Sequence, residues 1–268
     1  MASTGLARCK VPETECEDVS LGKGNACMRI EDREETEWSN TWIDDAHDLT
    51  RHRILLIGDS VARQYRGRLR KRLIDTSVDF IGTSFSLDDP MLYRLLDCFL
   101  ASTEYQYDLL LFNLGGKHGY YLRTADEEDD ARKYTAAFEA VLDTLLGRFP
   151  KAALLLTTPN VRKKRHGQWD EAVNREIEKR NALASASGGR RGLAVIDLYG
   201  FCKERSLRYG DRQHLLDEEE YFKLTDFLCG ELVRNGLLES SWVRPWKPRN
   251  AIGTFVRRLL GIRGRKGE

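Results

Sequence analysis

The stretch "RILLIGDSVARQYRGRLRKRL", residues 53–73, decides how this chain is read. It opens as an apolar run from Ile54 to Ile57, passes through Gly58, Asp59 and Ser60, and continues at once as a helix-like pattern over 60–75. A strand that turns directly into a helix leaves the residues between them at its carboxyl end. Asp and Ser are both favoured as helix caps, because a side-chain oxygen can accept an unpaired first-turn N–H. Ser60 is therefore either one more cap or a nucleophile held at a strand end. The rest of the chain has to separate the two.

The same alternation recurs downstream. Strand-like runs are "RILLIG" (53–58), "VDFIG" (78–82), "DLLLFNLG" (108–115), "AALLLTT" (152–158) and "LAVIDL" (193–198). Helix-like stretches lie at 60–75, 89–103, 127–148, 168–186 and 218–235. In 127–148 the residues Tyr134, Phe138, Val141, Leu142 and Leu145 recur at helical spacing, and Phe149-Pro150 closes the stretch. Strands that are apolar along nearly their whole length, alternating with helices, are the mark of a parallel sheet covered on both faces. This predicts a three-layer α/β/α domain over 51–238. An acidic extension, 1–50, is expected to pack on the core, and a basic amphipathic tail, 239–268, follows it.

Composition narrows the classes. With 41% hydrophobic and 32% charged residues, the chain of 268 residues can bury a core and remain soluble. Its net charge is only +1, so no global field favours nucleic acid. The charge is unevenly placed: residues 1–50 hold twelve Asp/Glu against five Lys/Arg, and 242–268 hold eight Lys/Arg against one acid. No apolar run reaches membrane-spanning length. "MASTGLARCKVPETECEDVS" lacks the apolar centre of a secretory signal, so a cytoplasmic protein is expected. Cys9, Cys16 and Cys27 show no zinc-like spacing, and Cys98, Cys202 and Cys229 sit in apolar patterns that suggest buried thiols.

Ligands of such sheets bind at the carboxyl ends of the strands. The first strand ends at Gly58-Asp59-Ser60, the second at Gly82-Thr83-Ser84 and the third at Asn113-Leu114-Gly115-Gly116-Lys117-His118. After the fifth comes "YGDRQHLLDEEEYFKL", with Asp211 and His214 three apart. A serine, a histidine, an acid and several glycine or amide donors are the parts that acyl transfer through a serine requires.

At these residues the sequence resembles a family. "IGDSVARQ", the glycine after the second strand, "FNLGGKH" and "DRQH" look like the blocks of the SGNH (GDSL-type) hydrolase superfamily, in the same order and over most of 50–238. "DLLLFNLGGKHGYY" is also similar to the Asn-Thr-Gly aromatic block of its PC-esterase branch, which includes polysaccharide O-acetyltransferases. The resemblance implies a flavodoxin-like fold with a five-stranded parallel sheet in the order 2-1-3-4-5. It also implies a serine esterase or O-acyltransferase acting on acyl, chiefly O-acetyl, groups of a carbohydrate or polysaccharide. Ser60 would be the nucleophile, His214 the general base and Asp211 the group that orients it. The backbone N–H groups of Ser60 and Gly82 would face the oxyanion. Where many members read Gly-x-Asn-Asp, this chain reads Gly115-Gly116-Lys117-His118, so the usual asparagine donor falls on Lys117; Asn113 and His118 are the candidates to replace it. Arg63, Gly116 and Lys117 are candidates for holding substrate. No metal and no tightly bound cofactor are implied, and a transferase would draw on a donor such as acetyl-CoA.

Other readings compete. An SGNH-fold module that binds a glycan or protein partner without catalysis would also fit the altered third block. "RGRLRKRL" (66–73) and "VRKKRH" (161–166) are solvated basic faces or the rim of an anion site. "TEWSNTW" (36–42) is expected to pack against the domain, with a sugar-stacking role for Trp38 and Trp42 as the alternative. "GGKHG" lacks the flanking Gly and Ser/Thr of a phosphate loop. In the tail, Ile252, Phe255, Val256, Leu259 and Leu260 recur at helical spacing with arginines between them. The stretch 249–263 fits peripheral contact with an anionic membrane surface, or with the core or another subunit, equally well.

Overall fold

The computed structural model describes residues 36–102, 104–116, 126–149, 151–162 and 168–245. Six strands form one sheet: β1 (Ser39–Trp42), β2 (His52–Gly58), β3 (Thr76–Thr83), β4 (Leu109–Asn113), β5 (Ala152–Leu155) and β6 (Ala194–Ile196). The helices are α1 (Ser60–Arg72), α2 (Pro90–Ser102), α3 (Glu127–Leu146), α4 (Glu171–Arg190), α5 (Leu198–Glu204) and α6 (Glu218–Arg234). The sheet runs β1-β3-β2-β4-β5-β6, with β1 antiparallel to β3 and every other pair parallel.

The expected five-stranded parallel sheet is thus a six-stranded mixed one. The added strand comes from "TEWSNTW", which pairs Ser39–Trp42 with Phe80–Thr83 instead of merely covering the core. Sequence pattern gives little sign of it, since the strand is short, largely exposed and built on Ser and Asn. Pairing to a preformed edge, not its own apolar run, makes it a strand.

Alternation along β2 divides the core. Ile54 and Leu56 pack with Tyr65 and Leu69 of α1 and Leu224 and Leu228 of α6. Leu55 and Ile57 pack on the opposite face with Leu92 and Leu96 of α2 and Phe138 and Val141 of α3. Successive strand side chains point to opposite faces, so helices on both sides require apolar residues at every position. Each such side chain, fully buried, contributes roughly 1.5–3 kcal/mol. The five apolar residues singled out on α3 are all buried. Cys202 and Cys229 are buried too, whereas Cys98 is exposed, because Leu92, Leu96 and Phe99 take the inward face of α2. Cys9, Cys16 and Cys27 lie outside the described residues.

At the amino ends of the strands a buried ion pair fixes the turn after β1. Arg53 and Asp79, 1% and 0% exposed, lie 3.0 Å apart. Arg53 also donates to the carbonyls of Asp44, Asp45 and Asp48, while Asp79 accepts from Asp44 N and the Tyr107 hydroxyl. Burial pushes the Asp79 carboxyl up, and these donors only partly offset it. Most of "RGRLRKRL" is spent nearby on internal contacts. Arg66 pairs with Asp44 and bonds the Val78 carbonyl, Arg70 pairs with Asp44 and Asp45, and Arg72 meets Asp226 and the Arg244 carbonyl.

The chain after α6 returns to this end of the sheet. Val243 bridges to Leu73, Ile74 N donates to the Trp242 carbonyl (2.8 Å), and Trp242 stacks on His52. The amphipathic stretch 249–263, with Trp246, lies outside the described residues. Among those described, no helix is long and apolar enough to cross a membrane.

Candidate active site

The ends of β2, β3 and β4 are level: Gly58 is in register with Gly82 on one side and Asn113 on the other. Directly after Gly58 the chain enters α1. A Cβ at Gly58 would lie 2.4 Å from the Ala62 Cβ, so only glycine lets the helix fold back this tightly over the strand end. Asp59, not Ser60, caps α1: its carboxylate accepts from Val61 N (2.8 Å) and Ala62 N (3.3 Å). The cap and the candidate nucleophile are therefore two different residues. Ser60 is the first residue of the helix, its hydroxyl is not used for capping, and its N–H has no hydrogen-bond partner among the described residues.

That hydroxyl meets His214, with Oγ 2.9 Å from Nε2, although 154 residues separate the two. His214 Nδ1 lies 2.8 Å from Asp211 Oδ2. The other carboxylate oxygen of Asp211 accepts from the N–H groups of Gln213 and His214, each at 2.8 Å. One aspartate thus shapes the turn and orients the ring, as Asx turns do. Burial would raise the Asp211 carboxyl, but the backbone N–H groups and the His214 ring outweigh it and hold the group below its ordinary range. The turn is closed by Gly210 N on the His214 carbonyl and Leu216 N on the Arg208 carbonyl, both 2.8 Å. Val161 N, beyond β5, ties it to the sheet through the Arg212 carbonyl (2.8 Å).

Two residues expected to serve the oxyanion are used otherwise. Ser84 N donates to the Trp38 carbonyl (3.0 Å), and Gly82, two residues earlier, lies opposite Asn40. Alternate N–H groups of an antiparallel strand point to the same neighbour, so the Gly82 N–H faces β1 and not Ser60. The unforeseen edge strand is the reason. Asn113 is buried, accepting from the Tyr65 hydroxyl (3.0 Å) and donating to the Leu155 carbonyl (2.8 Å). It is a scaffold group joining β4 to α1 and β5. Lys117 and His118 lie outside the described residues. Gly116 is a close-approach position, since a Cβ there would sit 1.7 Å from Thr157 Oγ1. Arg63 is exposed on α1 one turn beyond Ser60, with its guanidinium 5.3 Å above the Trp38 ring.

Supporting residues were missed from sequence. Asn174 and Asn181, two turns apart on α4, each clamp both the N–H and the carbonyl of one residue after β5: Asn160 and Thr157. Their signal is two amides on one face of an amphipathic helix. Arg208 and the buried Glu220 hold the His214 turn on α6 through an ion pair of 2.7 Å. Among the described residues no cluster of His, Cys, Asp and Glu could hold a metal ion.

No protein-family model matches this chain, and no curated protein matches it. Solved structures do. The M. smegmatis aryl esterase is 18% identical at a TM-score of 0.51, covering 70% of this chain and 100% of its own. Est24, a carbohydrate acetylesterase from Sinorhizobium meliloti, is 15% identical at 0.51, covering 69% and 100%. A member of the lipolytic protein G-D-S-L family from Veillonella parvula is 12% identical at 0.50, covering 68% and 99%. The chain shares its fold with these two esterases and with the G-D-S-L family member. The ends of β2, β3 and β4 lie level, and the turn before α6 meets them, so that one surface carries Ser60, Asp211 and His214.

Proposed function

We propose that this protein is a serine esterase that removes acyl groups, chiefly O-acetyl, from a carbohydrate. The observation that carries this reading is the unbroken relay from Asp211 through His214 to the Ser60 hydroxyl, at 2.8 and 2.9 Å. Ser60 Oγ attacks the acyl carbonyl as its proton passes to His214 Nε2, and Asp211 stabilises the imidazolium that forms. Negative charge gathers on the carbonyl oxygen beside the unpaired Ser60 N–H and the positive end of the α1 dipole. His214 then hands its proton to the departing sugar oxygen, leaving an acyl-enzyme on Ser60. Water, deprotonated by the same imidazole, releases the acid.

The carbohydrate and its acetyl group are supported by the resemblance of the third block to PC-esterases and by the name of Est24, a carbohydrate acetylesterase of the same fold. Water is chosen as acceptor because the solved structures of this fold are named esterases and acylhydrolases. A fluorophosphonate probe should label the wild-type protein at Ser60 and leave Ser60→Ala and His214→Ala unlabelled. The wild type alone should release nitrophenol from p-nitrophenyl acetate. A folded wild type that is neither labelled nor active would overturn the proposal. Gain of acetyl by a glycan from acetyl-CoA, in place of loss, would overturn the choice of water.

A further inference from the structure

Arg63 stands apart from the other arginines of α1. Arg66, Arg70 and Arg72 have carboxylate partners, and Arg68 donates to the Gln64 carbonyl (2.7 Å). Arg63 has no oxygen partner among the described residues. Its guanidinium lies 5.3 Å above the Trp38 ring, one turn from Ser60. Trp38 is itself anchored: its carbonyl accepts from Ser84 N (3.0 Å) and Thr83 Oγ1 (3.1 Å), and its N–H donates to Ser84 Oγ (2.9 Å). The adjacent acid, Glu37, is turned onto the Ser84 hydroxyl (2.7 Å). A guanidinium parked over an indole keeps its N–H edge free and is less hydrated than an ammonium in water. Two more exposed arginines without acidic partners among the described residues flank the relay: Arg212, beside Asp211, and Arg162, next to the residue that bonds the Arg212 carbonyl.

From this geometry we infer that the site takes an acylated acidic glycan, in which Arg63 receives the carboxylate of a uronic acid near the scissile ester and Trp38 positions Arg63. The inference rests on the esterase function proposed above and deepens it. Carboxylate matches the planar fork of a guanidinium, and one charge-assisted bond near the nucleophile corresponds to roughly a tenfold preference. It also makes Trp38 a positioning residue and not a surface on which sugars stack, because Arg63 lies over its ring.

The test compares acetate release from acetylated oligouronates and from the matching neutral acetylated oligosaccharides. The wild type should favour the acidic ester about tenfold in kcat/KM, and the preference should shrink as salt shortens the screening length. Arg63→Gln should bring the ratio close to one, Arg63→Lys should keep part of it, Trp38→Ala should lose most of it and Trp38→Phe should retain it. Because the readout is a ratio, a general loss of folding or activity does not imitate the result. Equal rates on the two esters by the wild type, or a ratio unmoved by Arg63→Gln, would overturn the inference and leave the esterase function standing. Arg63-dependent use of acetyl-CoA without any acidic preference would assign the cation to a phosphate-bearing donor, which also overturns it. Failure of the wild type on both esters and with the fluorophosphonate probe would remove the function on which it rests.

Discussion

Asp211→Asn separates the two jobs that this aspartate holds. Oδ1 builds the turn by accepting two N–H groups at 2.8 Å, and Oδ2 faces His214 Nδ1 at 2.8 Å. An asparagine that keeps its oxygen in the turn presents an NH2 group to Nδ1. The ring then has to accept there and carry its proton on Nε2, where it can no longer take one from Ser60. In a fully buried triad the wrong tautomer costs about 10⁴ in rate. The Asp211 side chain is 54% exposed, so water competes with the amide and part of the ring population keeps the productive form. We therefore expect kcat/KM for p-nitrophenyl acetate to fall about 10²–10³-fold. Stability should change by less than about 0.5 kcal/mol, because the turn bonds survive. Asp211→Ala should lose the turn as well and unfold about 1 kcal/mol more easily. The sign of the pH effect follows from the lowered carboxyl. Its stabilisation is complete above the unfolded value of 3.8 and is lost as pH falls through the lower folded value. Stopped-flow release of nitrophenol, with urea unfolding of the same samples, measures both quantities. If Asp211→Asn reacts within about threefold of wild type while Ser60→Ala is inert, the orienting role assigned to Asp211 is wrong.

Three further outcomes bear on the scaffold. Asp79→Asn leaves Arg53 charged and buried without its partner, so urea unfolding should show a loss of about 3–5 kcal/mol, while joint replacement of both by apolar residues should cost much less. Glu139 is held down near 2, chiefly by Arg190 and then by Arg191. Wild type should therefore exceed Glu139→Gln in stability above pH 4.5 and lose that margin as pH approaches 2; a margin unchanged with pH would contradict the assignment. Gly116→Ala drives a Cβ to 1.7 Å from Thr157 Oγ1 and 2.3 Å from its Cβ. It should cost about 1–3 kcal/mol, and Thr157→Gly in the same chain should recover a good part of that, since the two residues are coupled through one contact.

Where sequence and structure agree, the signal is one that burial or a short turn enforces. Ile54–Ile57 had to be a doubly covered strand, because four consecutive apolar residues leave no polar face. Asp211 and His214 could be paired because a three-residue spacing closes a turn on itself. The misses come from contacts that no local pattern records. The short strand Ser39–Trp42 exists because β3 offers it an edge, and that pairing redirects the Gly82 N–H. Asn113 sits where the third block places it, but Tyr65, on a different element, decides what its amide does. Arg63 was legible as a basic residue near Ser60; that it alone among the arginines of α1 lacks an oxygen partner among the described residues emerges only once Asp44, Asp45, Asp226 and the Gln64 carbonyl are placed beside the others.

The edge strand also has a chemical consequence. Loss of one oxyanion donor costs about 10²–10³ in rate in serine hydrolases. With β1 docked along β3, the β3 side of Ser60 offers no N–H from Gly82, and Asn113 is committed beneath it. Of the three donors Ser60, Gly82 and Asn113, the one left to a developing oxyanion is the Ser60 N–H, reinforced by the first turn of α1. That turn works because Asp59 takes Val61 N and Ala62 N and so leaves the N–H of Ser60 without a competitor. Capping by Ser60 itself would have spent its hydroxyl on the helix and left His214 without a proton to accept. The division of labour between two adjacent residues, an aspartate that holds the helix and a serine whose hydroxyl stays on His214, is what lets "GDS" serve the proposed chemistry as well as start a helix.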